Sequence, residues 1–355
     1  DDSHLVEYGA QGSYLGYGDV DVEYFDPDFF QPAYVGPPGN QRLHPNLMDT
    51  AGKETITEWE GAYVQDTWRI SESFELMPGV RVDSFNADGP EPSHVTLDEE
   101  TWEPHLAATA YPWDGGHVTG SYALAHRFPT SPEYYWWNAG FQPAGRKKLS
   151  PEEADQWELE WGQEFSGGRS LTTRAYYYDV QDYIRTIFGY RPSRVVYNID
   201  SVEFTGLELE AAQELPHNFR VWANYTVQQT RKHGDILDAS SALTDELVEL
   251  PENSINLGVG YRKPDGLSAA LTARYVDSRQ TIRGDLTGTG DTFPAGIGAF
   301  VDLDFRMSYP FYRGRMLREA RWTLLVDNIL NDHYEEEYGF PMPGTTLISG
   351  VEMTF

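Results

Sequence analysis

Large apolar residues alternate with polar residues along most of the chain. In VDLDFRMSYPF, residues 301–311, the odd positions hold Val, Leu, Phe, Met, Tyr and Phe, while the even positions up to 308 hold Asp, Asp, Arg and Ser. Successive side chains of a β-strand point to opposite faces of a sheet, so this alternation predicts a strand with one apolar and one polar face. The same pattern recurs in QWELEWGQEF at 156–165 and in FRVWANYTVQ at 219–228.

About fourteen such segments of roughly 10 to 15 residues follow one another, a length that suits tilted membrane strands better than globular ones. The last segment, TTLISGVEMTF at 345–355, keeps the alternation up to the final phenylalanine. A soluble chain usually frays into polar residues at its terminus. We therefore expect this strand to pair with the first strand, so that the sheet closes and leaves no edge.

Short and long connections alternate between the predicted strands. The short ones are predicted at 71–74, 114–116, 166–169, 216–218, 264–266 and 312–320. The long ones are predicted at 18–55, 87–100, 129–154, 189–194, 230–252, 283–298 and 331–344. Tight turns at one end and long loops at the other are typical of an outer-membrane barrel, with the turns on the periplasmic side. The predicted fold is an all-β, transmembrane, antiparallel up-and-down β-barrel, with Phe355 at its periplasmic rim.

A soluble all-β protein is the alternative to a membrane barrel. About fourteen strands would make a large sandwich, in which sheets pack through apolar faces alone. The charged faces would then have to point outward, because burying them is costly. The large aromatic residues on the opposite faces favour the membrane barrel.

Composition narrows the class of protein further. The 355 residues are 40% hydrophobic and 14% aromatic, with no cysteine and a formal net charge of -30. The mean hydropathy of -0.54 and the lack of an apolar run near 18 residues argue against a helical membrane protein. The aromatic content argues against disorder, and the acidity argues against nucleic acid as a partner.

Several ordered motifs resemble the barrel strands of TonB-dependent outer-membrane receptors. They are WEGAYVQDTWRISESFELMPGVRVDSF at 59–85, LAHRFPTSPE at 124–133, LSPEEADQWELEW at 149–161, FTGLELE at 204–210 and LLVDNILNDHYEEEYGFPMPGTTLISGVEMTF at 324–355. The resemblance implies a 22-stranded barrel with an N-terminal plug domain inside it. Neither the plug nor the energy-coupling box is found here. We therefore expect residues 1–355 to be an incomplete receptor-like barrel domain, without the plug and the first strands; the alternative is a plugless barrel of fewer strands.

The resemblance implies active uptake of a scarce, large solute: a ferric siderophore, haem, cobalamin or an oligosaccharide. Its implied partners are outer-membrane lipid and lipopolysaccharide, the inner-membrane TonB complex where a plug exists, the chelate or other small ligand, and the barrel-assembly machinery. Within the C-terminal strand, Gly350, Met353 and Phe355 are the positions expected to serve barrel assembly. A porin-like passive channel and an adhesion or assembly component remain alternative functions. The implied location is the outer membrane of a Gram-negative bacterium.

One predicted outer loop carries a dense aromatic group that could bind a ligand. The stretch PTSPEYYWWNAGFQPAGRKK at 129–148 contains Tyr134, Tyr135, Trp136, Trp137 and Phe141. These rings could form a platform for a sugar, a porphyrin or an aromatic chelate. The alternative is that they belong to the aromatic girdle of the barrel or pack loop against loop.

Signals for metal binding or catalysis are poor. The acidic runs 245–250 and 332–340 lack the ordered spacing of a calcium loop, so a solvated surface is the better interpretation. The nine histidines show no HExxH pair, and no GxSxG occurs. Carboxylate pairs such as Glu158 and Glu160 share a strand face and are expected to line a wet lumen, where they meet Arg174, Arg220, Arg274 and Arg306. We assign no metal, no cofactor and no enzymatic activity.

Overall fold

The computed structural model describes residues 3–17, 34–35, 42–43, 55–89, 96–138, 149–188, 194–234, 244–284 and 292–355. Its strands are β1 (His4–Tyr17), β2 (Tyr34–Val35), β3 (Arg42–Leu43), β4 (Thr55–Ser71), β5 (Phe74–Asp88), β6 (Thr96–Trp113), β7 (Gly116–Arg127), β8 (Glu152–Phe165), β9 (Arg169–Phe188), β10 (Arg194–Leu215), β11 (Phe219–His233), β12 (Asn253–Arg262), β13 (Ser268–Val276), β14 (Arg279–Gly284), β15 (Thr292–Ile297), β16 (Phe300–Tyr312), β17 (Glu319–Asp327), β18 (Glu335–Glu337), β19 (Phe340–Pro341) and β20 (Thr346–Thr354). These described ranges also contain the α-helix α1 (Ser131–Asn138) and a 3₁₀ turn (Pro216–Asn218).

Fourteen strands form one antiparallel meander. Their hydrogen-bonded order is β1-β4-β5-β6-β7-β8-β9-β10-β11-β12-β13-β16-β17-β20, so every strand of this sheet pairs with its sequence neighbours in the set. This confirms the predicted up-and-down architecture of about fourteen strands. The strands β9 and β10 are longer than predicted, at 20 and 22 residues.

Short and long connections alternate as predicted, with one exception: the connection between β9 and β10 was expected to be long but has only five residues, 189–193. The sheet strands are joined at one end by the short stretches 72–73, 114–115, 166–168, 216–218, 263–267 and 313–318, and at the other end by the long ones. Gly115 has φ +68, a conformation that glycine adopts at no steric cost in a tight hairpin. The end with the short connections is called the turn end below, and the other the loop end.

The register separates the two faces of the sheet. Glu160 on β8, Arg174 on β9 and Glu208 on β10 are directly opposed and therefore share one face. Leu159 and Leu207 lie on the other face and are about half exposed. The first face, which carries most of the charged side chains of these strands, is called the inner face, and the second the outer face.

The sheet curls around α1. This helix contacts β1, β4 and β10, and β10 is the sixth strand beyond β4 in the sheet order. Neighbouring strands are about 4.8 Å apart, so a flat sheet would separate β4 from β10 by about 29 Å. A helix of eight residues is only about 12 Å long. One helix can touch both strands only because the sheet curls towards it, as in a barrel.

Two features differ from the sequence-based expectations. Among the described strands, β1 and β20 lie at the two ends of the hydrogen-bonded order, and the expected pairing between them is not part of that order. The loop end also contains α1 and three small hairpins, β2-β3, β14-β15 and β18-β19, which the alternation did not predict. No helix in the described ranges is long and apolar enough to cross a membrane.

Candidate functional site

A local capping motif starts α1 in the long connection between β7 and β8. The hydroxyl of Thr130 accepts the backbone N–H of Glu133 at 3.4 Å, and the Glu133 carboxylate accepts the N–H of Thr130 at 2.8 Å. This reciprocal pair is a capping box, which satisfies two otherwise free donors at a helix start. Arg127, at the end of β7, reaches Glu133 at 3.0 Å and Glu152 of β8 at 2.7 Å, so the helix is fixed to both flanking strands.

Side chains of α1 lie against the inner face. Ser131 is 2.7 Å from the hydroxyl of Thr57 on β4, and both residues are buried. Tyr134 is fully buried in an apolar cluster at the loop end. The other buried members of this cluster come from β5, β6, β9, β10 and residue 149: Phe85, Ala87, Leu97, Leu149, Ile184 and Val196. The cluster joins strands from distant parts of the sheet through one inserted segment.

This packing involves one residue of the predicted ligand platform. Tyr134 belongs to the apolar cluster, so its ring is not part of an exposed platform in this structure. Tyr135, Trp136 and Trp137 lie within α1, and Phe141 lies outside the described residues. A ligand-binding role for all five residues remains a prediction.

A second segment also packs against the sheet at the loop end. Leu247 and Val248, within the acidic run that was predicted to be a solvated surface, are buried. The Leu247 N–H donates to the hydroxyl of Thr230 on β11 at 2.9 Å, and the Glu249 N–H donates to the Gln280 carbonyl at 2.7 Å. Leu247 packs with Tyr197, Ile199 and Val202 of β10. The prediction holds for the other four residues of the run, Asp245, Glu246, Glu249 and Leu250, which are exposed.

The inner face carries ion pairs between strands, as the alternation predicted. Arg174 lies 2.7 Å from Glu160 and 3.4 Å from Glu208. Arg220 lies 3.7 Å from Glu214, and Arg274 lies 4.0 Å from Asp302 and contacts Glu336. Arg306, the fourth arginine predicted to meet a carboxylate, makes no ion pair with any residue in the described part of the chain.

The outer face is apolar and bordered by aromatic residues. On β6, Trp102 and Trp113 are 60% and 48% exposed. They are eleven positions apart, which in a strand tilted by about 45° corresponds to roughly 25 Å, the height of the apolar band of a membrane barrel. Asp98 and Glu100, beyond Trp102 towards the loop end, are exposed carboxylates.

The C-terminal strand β20 pairs with β17 along its whole length. Met353 and Phe355 are 55% and 78% exposed, and Met353 lies on the outer face beside Ala320. Gly350 is opposite Thr323, whose hydroxyl donates to the Gly350 carbonyl at 3.3 Å. Phe355 follows the turn end of β20, as predicted, and the role of these three residues in barrel assembly remains a prediction.

An antiparallel meander with a charged, partly covered inner face and an apolar, aromatic-bordered outer face defines a transmembrane β-barrel protein. Among the described residues, no group of three or more His, Asp or Glu side chains is arranged to hold a metal ion.

Comparison with known proteins identifies the family. The model of the family described as "TonB dependent receptor-like, beta-barrel" matches residues 2–331, and the chain belongs to this family. Its location is therefore the outer membrane of a Gram-negative bacterium.

Relatives are similar over nearly the whole chain. The iron-regulated outer membrane virulence protein of Vibrio cholerae serotype O1 is 22% identical over 99% of this chain and 57% of its own length. The ferric-catecholate import receptor Fiu of E. coli K12 is 19% identical, with a TM-score of 0.68 over 99% of this chain and 52% of its own. The ferripyoverdine receptor of Pseudomonas aeruginosa is 16% identical, with a TM-score of 0.67 over 98% and 45%. The chain thus spans about half the length of the proteins it resembles.

Sequence reasoning missed the residues that hold the inserted segment. The TSPE sequence at 130–133 is a recognisable helix-start signal and could have predicted α1. Thr57, by contrast, is an ordinary strand threonine in the sequence, and only the tertiary fold brings it to Ser131.

Proposed function

We propose that this chain is the C-terminal part of the barrel of an energised outer-membrane receptor, which takes up a scarce, large solute such as a ferric siderophore. The proposal includes a plug and further strands, supplied by the rest of the native protein, that complete the barrel beside β1 and β20. Its partners would be the inner-membrane TonB complex, lipopolysaccharide, the barrel-assembly machinery and the chelate itself. Membership of the receptor family supports the proposal.

The observation that carries it is the packing of two inserted segments against the sheet at the loop end. One segment places Tyr134 in an apolar cluster that joins strands β5, β6, β9 and β10. A second segment buries Leu247 against β10. A passive channel for large solutes needs a wet, open path, whereas these segments place buried apolar clusters at the loop end. Covered loops suit a receptor that captures its ligand first and opens afterwards.

Uptake in a defined strain tests this function. The full native reading frame is expressed in an E. coli strain that lacks its own ferric-siderophore receptors, with and without the gene for TonB. Uptake of a labelled ferric catecholate or a labelled ferric hydroxamate is expected only when TonB is present. TonB-independent uptake, with large conductance in planar bilayers, would establish the passive channel instead. If neither transport nor conductance is observed, the adhesion or assembly role becomes the supported function.

A further inference from the structure

The short connection between β16 and β17 is far more basic than the other turns. Residues 313–318, RGRMLR, contain the three arginines Arg313, Arg315 and Arg318. The other five short connections of the sheet contain one lysine and no arginine, and that lysine, Lys263, pairs with Asp265 at 2.8 Å. In a chain whose net charge is -30, this turn therefore concentrates positive charge at one place on the turn end.

Two of these three arginines have no carboxylate to pair with. Glu319 is the only acidic residue among residues 312–321, and its two oxygens accept Arg313 at 2.9 Å and Arg321 at 2.6 Å. Arg315 and Arg318 are exposed and form no ion pair with any residue in the described ranges. Each guanidinium is a planar fork of N–H donors that matches the oxygens of a phosphate group. Their donors are therefore free to bind an external anion.

The backbone of the turn keeps the two unpaired arginines together. The N–H of Gly314 donates to the carbonyl of Leu317 at 3.0 Å, which closes the turn on itself. Arg315 and Arg318 are three positions apart, so their Cα atoms are separated by at most about 11 Å. Both long side chains can therefore reach the same phosphate group.

Large apolar side chains border this turn on the outer face. Met316, between the two arginines, is 92% exposed, the most of any large apolar side chain that the structure describes. Tyr309 and Tyr312 are about half exposed, and Tyr312 is opposite Ala320, which is itself opposite Met353 of the outer face. Aromatic rings on the outer face of a barrel mark the boundary between the apolar band and the lipid headgroups. The arginines just beyond them therefore lie at the depth of the headgroups, with an apolar side chain beside them.

From this arrangement we propose that the turn at 313–318 binds the headgroup of an anionic phospholipid in the periplasmic leaflet of the outer membrane. Arg315 and Arg318 bind the phosphate, while Met316 and Tyr312 contact the glycerol and the first part of the acyl chains. A zwitterionic headgroup suits the site less well, because its own amine offsets the charge of the phosphate. The site faces lipid and not the lumen, so it is independent of a plug and of any transported solute.

Native mass spectrometry of the full-length protein tests this lipid site. The protein is released from micelles that contain either phosphatidylglycerol or phosphatidylethanolamine, and the bound lipid is counted as its concentration rises. We expect the wild type to bind phosphatidylglycerol at least tenfold more tightly than phosphatidylethanolamine. The double variant Arg315→Gln with Arg318→Gln should lose this preference, and the corresponding double lysine variant, which keeps the charge but not the fork, should retain only part of it.

Arg169→Gln is the matched control. Arg169 is also an exposed arginine at the turn end, where it begins β9, and it forms no ion pair within the described part of the chain. The connection that precedes it, residues 166–168, contains no second arginine. Its replacement removes the same charge from the same leaflet and should leave the lipid preference unchanged. Equal weakening in Arg169→Gln would show a general attraction of cations to anionic lipid and would overturn the site.

Two further measurements separate a lipid from other anions. Glycerophosphoglycerol, the same headgroup without acyl chains, should bind much more weakly than phosphatidylglycerol, and equal affinity would make this a site for a soluble phosphate instead. Met316→Ser should weaken phosphatidylglycerol binding whereas Met316→Leu should not, an effect that charge alone does not produce. Equal binding of the two phospholipids by the wild type would overturn the proposal and leave the basic turn to an acidic protein of the periplasm.

Discussion

The hydroxyls of Thr57 and Ser131 lie 2.7 Å apart although 74 positions separate them in sequence. Thr57 belongs to β4 and Ser131 starts α1, so this contact joins the covering segment to the far wall of the curled sheet. Both residues are buried, so the contact holds the start of α1 against β4.

A reversible cross-link at this contact tests whether the segment must move. The chain has no cysteine, so Thr57→Cys with Ser131→Cys introduces one defined thiol pair, close enough to form a disulfide. Under the proposed function, oxidation should abolish solute uptake and reduction should restore it. The single variant Thr57→Cys, treated identically, controls for oxidation elsewhere. Undiminished uptake by the oxidised double variant would show that the solute passes without displacement of α1.

Removing the buried ring of Tyr134 should loosen the same segment. Tyr134→Ala leaves a cavity in the apolar cluster, and such large-to-small changes cost about 3 to 5 kcal/mol. Amide hydrogen exchange in residues 130–134 should accelerate strongly, while exchange in β12 stays unchanged. Tyr8→Ala is the control, since Tyr8 is 81% exposed. Unchanged exchange in Tyr134→Ala would mean that capping, rather than this ring, fixes the helix.

Asn328 should be essential to the connection between β17 and β20. Its side-chain amide donates to the Asp332 carbonyl at 2.9 Å and the Pro343 carbonyl at 3.2 Å, and its Oδ1 accepts the Asp332 N–H at 2.9 Å. At about 0.5 to 1.5 kcal/mol for each of the three bonds, Asn328→Ala should lower the unfolding free energy by about 1.5 to 4.5 kcal/mol. Chemical unfolding in micelles measures this.

Backbone conformation must be separated from hydrogen bonding at this position. Asn328 has φ +49, a region that asparagine tolerates and alanine disfavours. Asn328→Gly relieves the backbone strain but still lacks the three bonds, so it should remain clearly destabilised. Wild-type stability in Asn328→Gly would show that conformation, and not the amide, sets the requirement.

Charge should be tolerated on one face of β12 and not on the other. Leu257 lies on the outer face, 49% exposed, while its neighbour Asn256 lies on the inner face opposite Asn224 and Arg274. Leu257→Arg should cost about 2 to 4 kcal/mol if the outer face contacts lipid near the bilayer midplane. Asn256→Arg should cost much less. Equal effects on unfolding in lipid bilayers would contradict the assignment of the two faces.

Low pH should weaken the hydrogen bond between Asn253, at the start of β12, and Asp277, in the connection after β13. The Asn253 amide donates to Asp277 at 3.0 Å and the Ser278 N–H donates at 2.8 Å, and these bonds hold the pKa of Asp277 below its ordinary value. The stabilisation is therefore present above the unfolded pKa of about 3.9 and is lost as pH falls through the folded pKa. In Asp277→Asn, unfolding stability should vary less between pH 5 and 2 than in the wild type. Asp114→Asn, in an exposed turn, should keep the wild-type slope.

The alternation was sufficient to predict the sheet because its period of two is a local property of each strand. Val301, Leu303 and Phe305 fall on one face of β16 wherever that strand is placed, and the short turns then force a meander. The inward packing of Tyr134 was not predictable in this way. Its cluster joins residues up to 111 positions apart, from Phe85 to Val196, and an aromatic loop sequence is equally compatible with a ligand platform.

The pairing of two inner-face arginines illustrates the same limit. The alternation placed Arg220 and Arg306 on the polar face, but it paired both with carboxylates. Only the register shows that Glu214 is opposite Arg220 while Ala270 is opposite Arg306. One arginine is thus matched on its neighbouring strand, and the other is left available.

The lengths of β9 and β10 determine how far these strands extend beyond the membrane on the extracellular side. A strand of 22 residues tilted by about 45° rises roughly 50 Å, about twice the apolar band. The surplus of roughly 25 Å is hydrogen-bonded sheet standing in the aqueous layer above the lipid. A phage, a toxin or an antibody that approaches this side would therefore contact the rigid β9–β10 hairpin well before it reached the membrane.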